Sequence, residues 1–178
     1  MLVVNKVQIN ARTIPSPEKL KLVCVTATGT NNLDKEYLAK WNIQWRNVAG
    51  YSTESVAQHT FAVLFYLMEH LRYYDDYVKD GHYINDQIFT HFSRTFHELN
   101  GSVWGILGLG AIGRKVAQIA EAFGCRVICC SASGGTYDTK YEQVDFGELL
   151  RRSDILSAHA PLNSHTEGIF KSGSVFLK

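Results

Sequence analysis

The chain is poor in the residues that mark specialised protein classes. Its 178 residues include only three prolines, two methionines and four cysteines. The cysteines, Cys24, Cys125, Cys129 and Cys130, never stand in C-x-x-C spacing. That excludes a zinc ribbon or a thioredoxin-type redox motif, and it predicts buried, reduced thiols in a cytoplasmic protein. An excess of charge is also missing. Eighteen basic against 17 acidic residues leave a net charge of +1, with no basic stripe to meet nucleic acid or a membrane surface. The longest apolar run, residues 61–68, is far below the ~20 residues of a transmembrane helix. The N-terminus, MLVVNKVQIN, has no basic n-region and no small-residue cleavage site, so no signal peptide is expected. Seven histidines are present, none with the partner spacing of a metal site.

Glycine, by contrast, is placed informatively. Gly108, Gly110 and Gly113 sit in GLGAIG, the G-x-G-x-x-G pattern of a dinucleotide-binding turn. The pattern alone is weak, but its flanks strengthen it. An apolar run, residues 103–107, precedes it; an amphipathic run, residues 114–123, follows; Gly124 supplies a stop. Strand, tight turn and helix are the context the motif requires. Gly108 permits the turn, Gly110 lets a pyrophosphate approach the backbone, and Gly113 allows helix and strand to pack closely. N–H groups at the helix start then face the phosphate charges.

Around this turn the sequence predicts alternating strands and helices. Strands are expected at 2–7, 21–26 and 44–48, with a helix capped by Asp34 running to about residue 40. Ser52 or Thr53 caps a helix over 56–71, so apolar along FAVLFYLM that burial on all sides is expected. Residues 72–96, rich in Tyr, Asp and His, read as an irregular arm. Strands at 126–130 and 155–159, a loop at 131–141 and a helix at 146–152 follow, and 175–177 reads as the start of a further strand. The pattern predicts α/β architecture: two doubly wound, parallel-sheet, Rossmann-like units, each incomplete.

Four blocks carry a family resemblance: ATGTNNLD (27–34), NVAGYSTESVAQH (47–59), ELNGSVWGILGLGAIGRKVAQIAEAFG (98–124) and SDILSAHAPLNSHT (153–166). In order and spacing the chain resembles the D-isomer-specific 2-hydroxyacid dehydrogenases. FTHFSRTFHEL (89–99) is most similar to their glycerate dehydrogenase, or hydroxypyruvate reductase, branch. The resemblance implies hydride transfer between NAD(H) and a small 2-oxo or (R)-2-hydroxy acid. It implies a partial substrate domain at 1–99 and a partial NAD-binding domain at 100–178, the helix after Thr53 crossing between them. Thr28 and Gly29 would hold the substrate carboxylate on backbone amides; a plain strand-to-helix turn is the alternative. Gly108, Gly110 and Gly113 would cradle the pyrophosphate, with Ala111, Ile112 and Arg114 lining the turn. His159, Ala160 and Pro161 would lie against the adenosine side, with Thr166 a weaker candidate. His159 does not match the family's catalytic histidine. The arm would serve a homodimer or fold on its own subunit.

Two departures qualify the resemblance. NAD-preferring members place an acidic residue at the end of the second strand of the dinucleotide unit, to bind the ribose hydroxyls. The matching position is Ser131, followed by Ala132 and Ser133, with Arg114 and Lys140 the nearest cations. NAD with weak selectivity is therefore expected, and NADP is not excluded. The family's substrate-clamping arginine, its glutamate and its catalytic histidine match positions beyond Lys178. No catalytic residue is thus expected among these residues, and the chain reads as a fragment truncated at both ends with little or no activity. The alternative is a non-catalytic NAD-binding or dimerisation module.

Overall fold

The computed structural model describes residues 1–163 and 165–170. Two parallel sheets organise them. The first has the order β1-β2-β3, from β1 (Leu2–Val4), β2 (Leu22–Val25) and β3 (Gln44–Asn47), with α1 (Lys35–Lys40) between the last two. Asp34 starts α1 by accepting the Tyr37 N–H at 2.9 Å, satisfying one of the unpaired donors of a first helical turn. A small core of Ile9, Val23, Val25, Leu33, Leu38 and Ile43 lies under this sheet.

The second sheet has the order β6-β5-β4-β7, from β4 (Val103–Leu107), β5 (Arg126–Cys130), β6 (Glu142–Gln143) and β7 (Ile155–Ala158). The runs VWGIL and RVICC are nearly continuous in apolar residues because helices cover both faces of such a sheet. Helix α4 (Ala111–Ala122) joins β4 to β5, and α5 (Phe146–Arg152) joins β6 to β7. From β4 the chain moves outward to β5 and β6, then crosses back to β7 on β4's other side. That reversal is a topological switch point, where open α/β sheets bind ligands beyond the carboxyl ends of their strands.

Helix α2 (Thr53–Met68) packs on α4. Its Ala57 and Phe61 enter one core with Trp104, Val116, Ala117 and Ala120. The Phe61 ring lies 4.8 Å from that of Trp104, and Glu54 pairs with Lys115 of α4 at 3.0 Å. The helix is not buried on all sides as its composition predicted. Val63, Tyr66 and Leu67 are exposed, because only one of its faces meets α4. It also ends before residue 71, where His70 takes a left-handed conformation (φ 49°) that breaks the helix. The arm expected to be irregular starts with α3 (Leu71–Lys79) and a 3-10 turn at Tyr83–Asn85. Of the cysteines, Cys125, Cys129 and Cys130 are buried and Cys24 is only partly so. The strand expected at 175–177 falls outside the described residues.

Candidate nucleotide and carboxylate cleft

The fingerprint turn is shaped by contacts that tolerate no side chain. Gly108 has φ +91°, and a Cβ there would lie 2.8 Å from the Ala160 nitrogen. A Cβ on Gly113 would lie 2.2 Å from the Gly108 carbonyl oxygen. These two glycines therefore bring α4 and the end of β7 against the turn, backbone to backbone. Gly110 differs: a Cβ there would meet nothing within 4 Å. It is the N-cap of α4 and no side chain caps that terminus. The first helical hydrogen bond is from Arg114 N to Gly110 O, so the N–H groups of the preceding turn lack intrahelical acceptors. Open space before a bare helix N-terminus fits the pyrophosphate of a dinucleotide.

That space opens into a cleft of ≈ 1020 Å³ between the two sheets. Thr28 and Gly29 form one wall, Gly110, Ala111 and Ile112 another, and His159, Ala160 and Pro161 a third. Asn47 shapes the first wall by donating to the Thr28 carbonyl at 2.8 Å. Buried Asn32, from the same sequence block, donates to the carbonyls of Asn5 and Val7 and ties the loop to the end of β1. Gly108 and Gly113 lie behind the wall as its support.

Three other candidates stand apart from this cleft. Thr166 fixes the loop that forms the third wall, donating to the Pro161 carbonyl at 2.6 Å and accepting from Asn163 N at 2.8 Å. Ser131 leaves β5 at a neighbouring hollow of ≈ 430 Å³ that Phe146 and Ile169 also line. Its hydroxyl is 3.4 Å from that of Ser133. Arg114 points to the 131–141 loop, donating to the Asp138 carbonyl at 3.2 Å. Lys140 is engaged by both carboxylate oxygens of Glu121.

From the sequence, Ser52 and Thr53 at the start of α2 are only helix caps, with no place in the cleft. Ser52, Thr53 and Val56 line the cleft, and this N-terminus too has no side-chain cap bond. The signal was available: a second helix start, with Ser52 and Thr53 in the block NVAGYSTESVAQH. Two N-termini without side-chain caps each suit an anion locally, in a cleft whose lining also carries Asp34, Lys35 and Glu36.

His159 is the one histidine on the cleft wall among the described residues. Its Nε2 is buried without a hydrogen-bond partner, and burial pushes the imidazole below its ordinary value. It is therefore neutral at pH 7. Because the folded state disfavours the charged ring, the unfolded state binds the proton first as pH falls through about 6.5. Stability should decline below that pH with a slope of up to about 1.4 kcal/mol per pH unit. The decline should continue until the folded-state ring itself titrates. Urea melts of the wild type and of His159→Leu between pH 5 and 8 check this: the variant's profile should be flatter on the acid side.

Comparison with known proteins follows the same lines. Residues 61–175 match the family described as "D-isomer specific 2-hydroxyacid dehydrogenase, NAD binding domain". A glycerate dehydrogenase of Methylorubrum extorquens is 30% identical over 93% of this chain and 51% of its own length. A glyoxylate reductase of Aeropyrum pernix is 33% identical over 96% of this chain and 52% of its own. Among solved structures, an acyclic imino acid reductase in complex with NADPH and D-Arg superposes with TM-score 0.82 at 30% identity, covering 92% of this chain and 52% of that one. A D-lactate dehydrogenase from Aquifex aeolicus, complexed with NAD and lactic acid, gives 0.78 at 28% identity, covering 90% and 48%. The chain spans about half the length of the curated relatives it matches.

Proposed function

The chain belongs to the D-isomer-specific 2-hydroxyacid dehydrogenase family, and on that premise we propose that the whole protein moves a hydride between NAD(H) and a small 2-oxo or (R)-2-hydroxy acid. Hydroxypyruvate and glyoxylate are the substrates put forward. One observation carries the reading: the bare turn at Gly110 and the Thr28–Gly29 loop face a single cleft. A pyrophosphate on the first and a carboxylate on the second would set the two reactants side by side. Bound NAD(H) supplies the redox chemistry. The first-turn amides of α4 hold the diphosphate, and the backbone at Thr28 and Gly29 orients the acid. Pro161 and Ala160 pack beside the nucleotide. His159, the described histidine of the cleft, has a buried Nε2 without a partner and a basicity depressed by burial, so at pH 7 it carries no imidazolium proton for reduction of a 2-oxo acid. These 178 residues alone are therefore expected to bind nucleotide but turn over slowly.

Titration with NADH, followed by its fluorescence, tests the reading. Binding at or below millimolar NADH supports it; no response from a folded sample overturns it. Reduction of hydroxypyruvate or glyoxylate at an ordinary enzymatic rate would refute the expectation of slow turnover.

The rim that would meet the adenosine ribose carries hydroxyls, Ser131 and Ser133, and its nearby cations are already engaged. Comparable affinities for NADH and NADPH follow. Ser131→Asp should weaken NADPH at least about tenfold relative to NADH through charge repulsion with the 2′-phosphate; paired titrations read the ratio.

Homodimerisation through the arm completes the proposal. Ile84, Ile88, Phe89 and Phe92 are exposed there, more apolar surface than isolated exposed side chains account for. The free cysteines accord with a cytoplasmic location.

A further inference from the structure

The 131–141 loop runs from the end of β5 to β6, and α4 grips it at both ends of the helix. Arg114, in the first turns, donates to the Asp138 carbonyl at 3.2 Å. Glu121, at the far end, accepts from Lys140 Nζ at 2.6 and 2.7 Å and from the Tyr141 hydroxyl at 3.4 Å. Flanking these grips, Tyr137 and Tyr141 pack against the core beneath α4. Gln143 closes the loop on itself, accepting the Tyr137 N–H at 2.9 Å and donating to the Gly135 carbonyl at 2.7 Å.

Helix α4 is also the helix whose N-terminus faces the cleft. One rigid element thus carries the diphosphate-facing amides at its start and holds, by its side chains, the loop that begins at Ser131. We propose that Arg114 and Glu121 are positioning residues. They clamp the 131–141 loop to α4 and so fix the distance between the diphosphate turn and the ribose-facing rim at Ser131 and Ser133. Arg114 acts through the loop and not as a phosphate ligand. The proposal rests on the nucleotide-binding reading above and assigns this chain's own residues a task within it.

Glu121 separates this from a charge effect. A carboxylate repels a bound polyanion, so if only charge mattered, Glu121→Gln would tighten binding. The clamp requires the opposite. Ionic strength separates the two in degree: a guanidinium on phosphate gives a strongly salt-dependent contribution, whereas one held on a carbonyl oxygen acts on the phosphates only at a distance.

The test uses the full chain and the variants Arg114→Ala, Arg114→Lys and Glu121→Gln. Amide hydrogen exchange is measured without nucleotide, and dissociation constants for NADH and NADPH are measured at two salt concentrations. Arg114→Ala and Glu121→Gln should each speed exchange at 132–141 and leave α4 protected. Each should weaken NADH and NADPH by a common factor of about three to ten, the scale of one hydrogen bond. The NADPH/NADH ratio should not change, and the salt dependence should shift far less than loss of a direct phosphate contact would shift it. Arg114→Lys, which keeps a donor, should recover part of the loss.

Three results would overturn the clamp: weaker NADH binding by Arg114→Ala with unaltered loop exchange, tighter binding by Glu121→Gln, or a loosened loop with unchanged affinity. Failure of the wild type to bind either dinucleotide overturns the nucleotide reading itself. That outcome stays distinguishable, because loop exchange is read without ligand.

Discussion

Replacing Gly110 by alanine should lower affinity for NADH by roughly 10- to 100-fold, the range expected when a methyl group is forced into a close contact. Stability should fall by less than about 1 kcal/mol, the difference between glycine and alanine at an N-cap. The new Cβ would stand in open space within the free protein, where only a ligand would meet it. Gly113→Ala should behave differently. Its Cβ would lie 2.2 Å from the Gly108 carbonyl oxygen, so helix and turn must separate before anything binds. A loss of about 2–3 kcal/mol of stability is expected, together with loss of NADH binding. Urea melts beside fluorescence titrations distinguish the two variants. Equal loss of stability in both would mean that Gly110 packs against protein and does not border a phosphate site.

The second large effect is expected at Trp104. Its side chain is fully buried, its Nε1 donates to Ser157 Oγ at 2.9 Å, and its ring meets Phe61 of α2. Trp104→Ala should cost about 3–5 kcal/mol, a large part of the ~5–15 kcal/mol that holds a typical domain folded. It would leave a cavity under β4 and strand the buried Ser157 hydroxyl without its donor. Trp104→Phe should cost less, since most of the ring volume remains. Midpoints of chemical unfolding measure both. If Trp104→Ala unfolds with an unchanged midpoint, α2 is not anchored through this ring.

The cofactor side of the fold was far more legible than the arm. Strands at 103–107 and 126–130 and the helix at 146–152 are where the sequence placed them, because each is a continuous apolar or amphipathic run closed by a glycine or a cap. The boundaries of α2 were missed because FAVLFYLM carries no periodicity: such a run shows neither which face meets α4 nor that His70 halts the helix. The arm was misread for another reason. Tyr73 and Tyr77 do stand at the i, i+4 spacing of α3 and stack on each other, but the run is short, and beyond it the arm is ordered by contacts such as Tyr77 on His91 at 3.9 Å, which no local spacing shows. At the cleft, the fingerprint glycines could be read one by one because each has a distinct steric reason. The carbonyl partner of Arg114 could not, since it depends on the path of a loop.

The core beneath the first sheet shares no buried residue with those of the second. Unfolding can therefore proceed in stages, and the first sheet should melt first because its single core is smaller than the two cores of the second sheet together and has less apolar surface to lose. The Thr28–Gly29 wall, proposed above to bind the acid, belongs to that weaker side. The glycine turn proposed to hold the diphosphate is built into the stronger one. On the proposed function, a partly melted molecule keeps its nucleotide while the Thr28–Gly29 wall has come apart, so that warming is expected to impair capture of the acid before release of the coenzyme.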